Sequence, residues 1–227
     1  MTLIPCLRAT IQIPHETGGE DTSEGRGIGT AEAVDGECHG DSGDGMAHEL
    51  SFGKIHIIEW LWRINPETGT PDRRTGQESH EEIRAMLAAT PDSPVQVILH
   101  RVSSRAAFLV RLNRIEQDFR VTGRVPLLQI ESHGDGIGLS RNNGLTWPEL
   151  MKALTPLNQA TGVRLPVFLA ACDGMWGIRM AQAMERAPFF ALLGPNRKVT
   201  PGEVVRGMCA FYRKVIVDRD GSKPWTR

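Results

Sequence analysis

The chain has 227 residues, which is enough for one globular domain with an appendage. Its hydrophobic fraction of 40% and charged fraction of 23% are ordinary for a globular protein. No run approaches the roughly 18 apolar residues that a membrane-spanning helix needs. The start of the chain lacks a basic region followed by an apolar stretch, so we predict a cytoplasmic protein. Its four cysteines are then expected to be reduced.

The net charge of −1 conceals two oppositely charged parts. Residues 16–50 carry ten acidic side chains and a single basic one, Arg26, whereas the rest of the chain carries 17 acidic and 25 basic side chains. The same segment holds nine glycines and few large apolar groups, so we expect it to be flexible. Two interpretations stay open: a solvated loop, or a regulatory element that lies against the basic remainder.

Three regions follow from these patterns. Residues 1–51 are interpreted as an edge strand followed by the acidic, glycine-rich segment; the strand is predicted within Thr2–Pro14, where apolar and polar residues alternate. Residues 52–217 form the main domain, and residues 218–227 form a tail. The main domain is therefore where elements that build a site are expected.

Strand-like and helix-like blocks alternate in the main domain. Apolar runs predict five strands, at residues 55–61, 95–99, 125–130, 167–171 and 189–193. Five amphipathic helices are predicted between and after them, marked by Ile83 and Met86, by Leu112 and Ile115, by a capping box at Thr146–Glu149, by Ile178 and Met184, and by a second capping box at Thr200–Glu203. Pro156 is expected to kink or end the third helix. This alternation predicts an α/β fold with a mainly parallel sheet covered on both faces.

The third and fourth strands end in chemically distinctive residues. The third runs into His133-Gly134, and the fourth runs into Cys172-Asp173-Gly174. Sites in parallel sheets form beyond the carboxyl ends of the strands. If these two strands are neighbours, their spacing of about 5 Å brings His133 and Cys172 within reach of each other or of a shared substrate.

The two residue types suit nucleophilic catalysis. A cysteine thiolate is the nucleophile, and a nearby imidazole activates it and carries a proton to the leaving amine. The backbone amides of Gly134 and Cys172 are candidates for stabilising the oxyanion. Asp135 and Asp173 are candidates for orienting the histidine or contacting substrate, and a turn aspartate is an equally good interpretation of Asp135.

These segments resemble the caspase-like peptidases of clan CD. The nucleophile signature of caspases is Gln-Ala-Cys-(Arg/Gln/Gly)-Gly, with the histidine about 50 residues upstream. The chain has Ala170-Ala171-Cys172-Asp173-Gly174, with His133 lying 39 residues before the cysteine. Residues 126–134 and 145–150 look similar to the bacterial CHAT-like branch. The resemblance covers roughly residues 52–217, and it implies a caspase-like three-layer α/β/α sandwich.

The resemblance also implies a function. It implies a cysteine endopeptidase that needs no metal or organic cofactor and cleaves a protein partner, with no nucleic-acid or membrane partner. Related bacterial proteases act in antiviral defence or cell death, on gasdermin-like pore-formers or CRISPR-associated proteins, so we expect an activating protease or sensor partner. Ala170 stands where caspases have the glutamine that helps bind a substrate aspartate and metacaspases have an aspartate, so neither specificity carries over.

A regulatory hypothesis follows from the acidic segment. If it inhibits the enzyme, its removal activates, and Arg26 is the candidate processing site for an enzyme that prefers basic residues. Two other functions stay open: a catalytically silent interaction module, and a thiol hydrolase that acts on another substrate class. Some polar side chains are interpreted as structural or as loop residues rather than as ligands: His56, His100, Cys209, and the group Cys38, His39, Asp41, Asp44 and His48.

Overall fold

A computed structural model describes residues 52–90, 93–139, 144–175, 177 and 187–217. Its strands are β1 (Lys54–Trp60), β2 (Gln96–Arg101), β3 (Pro126–Ser132), β4 (Gly138–Leu139), β5 (Leu145–Thr146), β6 (Pro166–Ala170) and β7 (Ala191–Leu193). Its helices are α1 (Thr75–Ala88), α2 (Arg105–Thr122), α3 (Trp147–Ala160) and α4 (Pro201–Tyr212), and α4 runs into a π-helical turn at Arg213–Val217.

Five of the strands form one parallel sheet in the order β2-β1-β3-β6-β7. Every residue of β1 and of β3 is buried, because each of these strands has a neighbour on both sides and is covered on both faces. The predicted α/β class and parallel sheet are thus confirmed. The order also makes β3 and β6 neighbours, with Glu131 in register with Ala170.

The helices pack in two pairs. Helices α1 and α4 contact each other, and so do α2 and α3. A cluster of buried side chains joins α2 and α3 to the sheet, including Ile58, Leu128 and Leu169 from the strands. Apolar side chains of α1 and α4, including Ile83 and Met208, are buried as well. This arrangement is compatible with a three-layer α/β/α sandwich.

Both predicted capping boxes are present. The hydroxyl of Thr146 accepts a hydrogen bond from the Glu149 amide while the Glu149 carboxylate accepts one from the Thr146 amide, and Thr200 and Glu203 form the same pair at the start of α4. Each box satisfies amides that the first turn of a helix leaves without a partner. Pro156 lies inside α3, which continues to Ala160, so this proline does not end the helix.

The structure differs from the predicted elements in two places. The two-residue strands β4 and β5 pair as an antiparallel ribbon between β3 and α3, where the sequence predicts only loop. The last strand of the sheet begins at Ala191 rather than at Phe189. The predicted edge strand, the acidic segment, the helix containing Ile178 and Met184, and the tail at 218–227 lie outside the described residues.

His56 and His100 lie on the neighbouring strands β1 and β2, with stacked rings and a 3.0 Å contact between His56 Nδ1 and His100 Nε2. Burial lowers the pKa of His56 to about 4 and that of His100 to about 3, so both rings are neutral near pH 7. No helix in the described part of the chain is long and apolar enough to cross a membrane.

Candidate active site

The structure brings His133 and Cys172 to one cleft. His133 follows the last residue of β3, and Cys172 lies two residues beyond the end of β6. Because β3 and β6 are adjacent and parallel, both side chains emerge at the same edge of the sheet. Both residues line a single cleft, and both are partly exposed. A molecule that enters the cleft can therefore contact both the thiol and the imidazole.

Asp72 holds the imidazole of His133. The Asp72 carboxylate oxygen Oδ2 lies 2.8 Å from His133 Nε2. The side chain of Asp72 is only 7% exposed, and its oxygens also accept hydrogen bonds from the Trp62 amide and from the side-chain amide of Asn65. A carboxylate only accepts hydrogen bonds, so the Nε2 atom of His133 carries a proton. The remaining ring nitrogen, Nδ1, is left for proton exchange.

Trp62 fixes the plane of the same ring. Its indole stacks on the His133 imidazole with ring centroids 4.6 Å apart and an angle of 23° between the planes. The loop after β1 thus supplies both a stacking partner and a hydrogen-bond acceptor for the histidine. Asp72 and Trp62 are functional candidates that the sequence interpretation did not include.

The thiol of Cys172 lies 3.6 Å from the Val199 carbonyl oxygen, within the range for a hydrogen bond from sulfur. Val199 belongs to the segment between β7 and α4, which also lines the cleft. A hydrogen bond from a thiol is weak, so this contact holds the Cys172 side chain only loosely.

Gly134 approaches the Cys172 backbone closely. A Cβ atom at Gly134 would lie 2.7 Å from the Cys172 carbonyl oxygen and 2.9 Å from the Ala171 Cβ. Any larger residue there forces the two strand ends apart. The backbones of Gly134 and Cys172, whose amides are the predicted oxyanion donors, are therefore adjacent.

A tight turn follows the cysteine. Asp173 has φ = +56°, a left-handed conformation that aspartate tolerates better than most residues. Its amide donates to the Arg197 carbonyl, and the Gly174 amide donates to the Ala171 carbonyl. A Cβ at Gly174 would lie 2.7 Å from the Leu169 carbonyl oxygen. The structure thus places Asp173 in the turn that presents Cys172.

Asp135 lies in the turn between β3 and β4. Its Oδ1 atom accepts hydrogen bonds from the amides of Ile137 and Gly138, at 2.7 and 3.1 Å. This is the pattern of a turn aspartate. The Asp72 carboxylate contacts His133. Arg26, the predicted processing site, lies outside the described residues.

Buried polar side chains form a network beneath the cleft. The Thr75 hydroxyl donates to Glu131, the Gln129 side-chain amide donates to the same carboxyl group, and the Tyr212 hydroxyl donates to Gln129. Burial raises the pKa of Glu131 to about 7; the hydrogen bonds from Thr75 and Gln129 oppose the shift, and Glu59 adds to it. This network connects α4 to the residue that begins α1 on the cleft wall.

The cleft has a volume of about 140 Å³. Its lining comes from the loop after β1, the ends of β3 and β6, and the start of α4: Leu61, Asp72, Arg73, Thr75, Ser132, His133, Ala170, Ala171, Cys172, Val199, Pro201 and Val204. Among the residues that the structure describes, no group of three or more histidine, cysteine, aspartate or glutamate side chains is placed to hold a metal ion.

Comparison with known proteins leaves the family open. The sequence matches no protein-family model, and a search of curated proteins finds no significant match.

Proposed function

We propose that the protein is a cysteine endopeptidase with His133 and Cys172 as its catalytic residues. One arrangement carries the proposal. Both side chains line one cleft at the carboxyl ends of adjacent parallel strands, and the Asp72 carboxylate binds Nε2 of the His133 imidazole. Nucleophile, base and a third group that orients the base are the parts that acyl transfer by a thiol requires.

The mechanism proceeds through a thioester. His133 accepts the thiol proton through Nδ1 while the Cys172 sulfur attacks the peptide carbonyl carbon. The amides of Gly134 and Cys172 donate to the oxyanion that forms. When the tetrahedral intermediate collapses, the carbon–nitrogen bond breaks and His133 gives its proton to the leaving amine. Water, deprotonated by His133, then attacks the thioester and releases the carboxylic acid and the thiol.

Asp72 is a positioning residue in this scheme. Its hydrogen bond with His133 keeps the proton on Nε2 so that Nδ1 is the basic nitrogen. The stacked Trp62 ring limits rotation of the imidazole out of that plane. Because these two contacts already restrict the ring, His133 loses less conformational freedom when the transition state forms.

The proposal includes a caspase-like fold of the CHAT-like bacterial branch. Its support is the motif pair around His133 and Cys172, together with the five-stranded parallel sheet. The expected substrate is a protein partner, with gasdermin-like pore-formers and CRISPR-associated proteins as the first classes to test.

Labelling with a thiol-reactive peptide probe tests the mechanism. Cys172 is expected to be modified, Cys172→Ala to abolish labelling, and His133→Ala to slow it by about 10²-fold or more. Cys209→Ala is the matched control, because burial raises the pKa of Cys209, which is not among the cleft residues, so its thiolate is scarce. Peptide cleavage that persists in Cys172→Ala, or a lack of probe on Cys172 in the wild-type protein, would show that the protein is not a peptidase of this kind.

A further inference from the structure

The cleft beside the catalytic pair has apolar walls. Leu61 comes from the loop after β1, Ala170 from the end of β6, and Val199 and Val204 from the segment that starts α4. Ala170 is buried and lies two residues before Cys172, so its small side chain leaves space next to the nucleophile. A substrate side chain next to the attacked carbonyl can enter this space.

The charged groups that line the cleft are already paired. The Asp72 carboxylate binds His133, Asn65 and the backbone at Trp62. The Arg73 guanidinium binds both oxygens of Glu78 through Nε and Nη2, at 2.7 and 2.6 Å. An ionised side chain that entered the cleft would exchange water for charged groups that are already paired with one another, so it would gain less there than an apolar side chain gains from the apolar walls.

The polar floor of the cleft is also paired. The hydroxyl of Thr75 donates to the buried Glu131 carboxyl group, at 2.7 Å. Glu131 is itself bound by Gln129 and is not among the residues that line the cleft. A basic side chain therefore meets a threonine hydroxyl, which offers an uncharged acceptor, rather than a free carboxylate.

The volume of the cleft limits the size of the side chain that it can hold. An engineered apolar cavity of roughly 150 Å³ binds benzene, so a cleft of about 140 Å³ has room for a side chain of the size of leucine or methionine. It is far smaller than the roughly 300–1,000 Å³ of pockets that enclose whole drug-sized ligands. The space suits one amino-acid side chain whose backbone stays outside.

From these observations we infer that the enzyme cleaves after an uncharged, apolar residue, with Ala170 and Val204 as specificity-determining residues. The inference rests on the proposed peptidase function. It makes Arg26 a poor site for cleavage by this enzyme itself, so processing there would need a second protease. The substrate is a protein that exposes an apolar residue in an extended segment.

A library of fluorogenic peptides varied at the residue before the cut tests the inference. Leucine, methionine or valine at that position is expected to give at least a tenfold higher kcat/KM than arginine, lysine or aspartate, and Cys172→Ala abolishes all cleavage. If cleavage depends on Cys172 but is faster after a charged residue, the inferred specificity is wrong and the proposed peptidase function stands. Absence of any cleavage or probe labelling that depends on Cys172 overturns the proposed function and the inference with it.

Two variants test the named residues. Ala170→Asp places a carboxylate in the cleft wall. It is expected to raise kcat/KM for peptides with arginine before the cut, relative to peptides with leucine, by tenfold or more. Val204→Phe fills part of the cleft from the half-exposed start of α4. It is expected to raise kcat/KM for peptides with alanine before the cut relative to peptides with leucine, and unlike Ala170→Asp it buries no charge. Val205→Phe is its matched control, since Val205 is the next residue of α4 but does not line the cleft. An unchanged preference in folded Val204→Phe contradicts the assignment.

Discussion

The Asp72 carboxylate lies 2.8 Å from Nε2 of His133, although 61 residues separate the two along the chain. This contact joins the loop after β1 to the end of β3. Since β1 and β3 are neighbours in the sheet, an acidic residue in the loop after β1 can reach a histidine at the end of β3.

Replacing Asp72 by asparagine is expected to lower kcat by about 10²-fold, because the amide does not hold the imidazole in the required tautomer. The larger change is expected in kcat rather than in KM, since the Asp72 carboxylate is already bound to the imidazole, to Asn65 and to the Trp62 amide. Steady-state kinetics on a peptide substrate measure this split between kcat and KM. Asp135→Asn is the control: it keeps a side-chain oxygen for the turn amides and should leave kcat within about twofold. A larger effect from Asp135 than from Asp72 would reverse the assignment.

Gly134→Ala is expected to cost about 1–3 kcal/mol in the free energy of unfolding and to abolish most activity. Its Cβ would lie 2.7 Å from the Cys172 carbonyl oxygen, so the strand ends must separate. Gly207→Ala is the matched control, because nothing lies within 4 Å of its Cβ position inside α4. Alanine should stabilise the helix there by about 0.5–1 kcal/mol with unchanged kinetics. Urea unfolding and peptide cleavage measure both quantities.

Variants of the two capping boxes distinguish an effect on stability from an effect on substrate binding. Thr200→Ala and Thr146→Ala should each cost about 1 kcal/mol, because each removes the acceptor for an amide in the first turn of a helix. Only Thr200 begins a helix whose first turn lines the cleft, so only Thr200→Ala should also raise KM. Equal KM values in the two variants would show that fraying of α4 does not reach the substrate site.

Glu131 should make stability depend on pH. Its pKa is about 7 in the folded protein, above the ordinary value of 4.5, so the folded state binds more protons than the unfolded state between these values. Stability from this group is therefore complete below about pH 4.5 and is lost as the pH rises through 7. Glu131→Gln should remove this loss, which amounts to roughly 3 kcal/mol.

Urea unfolding of wild type and Glu131→Gln at pH 5 and pH 8 measures the difference. The lowered pKa values of His56 and His100 give a dependence of the opposite sign, with stability falling on acidification, so the variant must be compared with wild type at each pH. Glu82→Gln, on an exposed position of α1, is the control and should follow the wild-type profile. Parallel profiles for Glu131→Gln and wild type would contradict the raised pKa.

Much of the fold follows from local patterns. The five apolar runs became the five strands of a parallel sheet, because fully buried parallel strands need continuous apolar sequence. The capping boxes placed the starts of α3 and α4 correctly, because they depend on side chains three residues apart. The β4–β5 ribbon was missed because strands of two residues carry no periodicity.

The site was predicted only in part for a related reason. His133 and Cys172 could be placed at strand ends from sequence, but the partner of the histidine depends on strand order, which periodicity does not determine. Asp72 lies in a turn-rich stretch where aspartate is common. Its one available signal was its position after a buried strand, at the sheet edge that carries the histidine and the cysteine.

The cleft is assembled from four separate stretches of chain, from Leu61 to Val204. During synthesis, at roughly 5–20 residues per second, the cysteine leaves the ribosome after the aspartate and the histidine, and the wall from α4 follows last. A nascent chain therefore carries all three polar groups of the site before it has a complete place to bind substrate. The proposed peptidase activity therefore depends on the part of the cleft wall that is synthesised last.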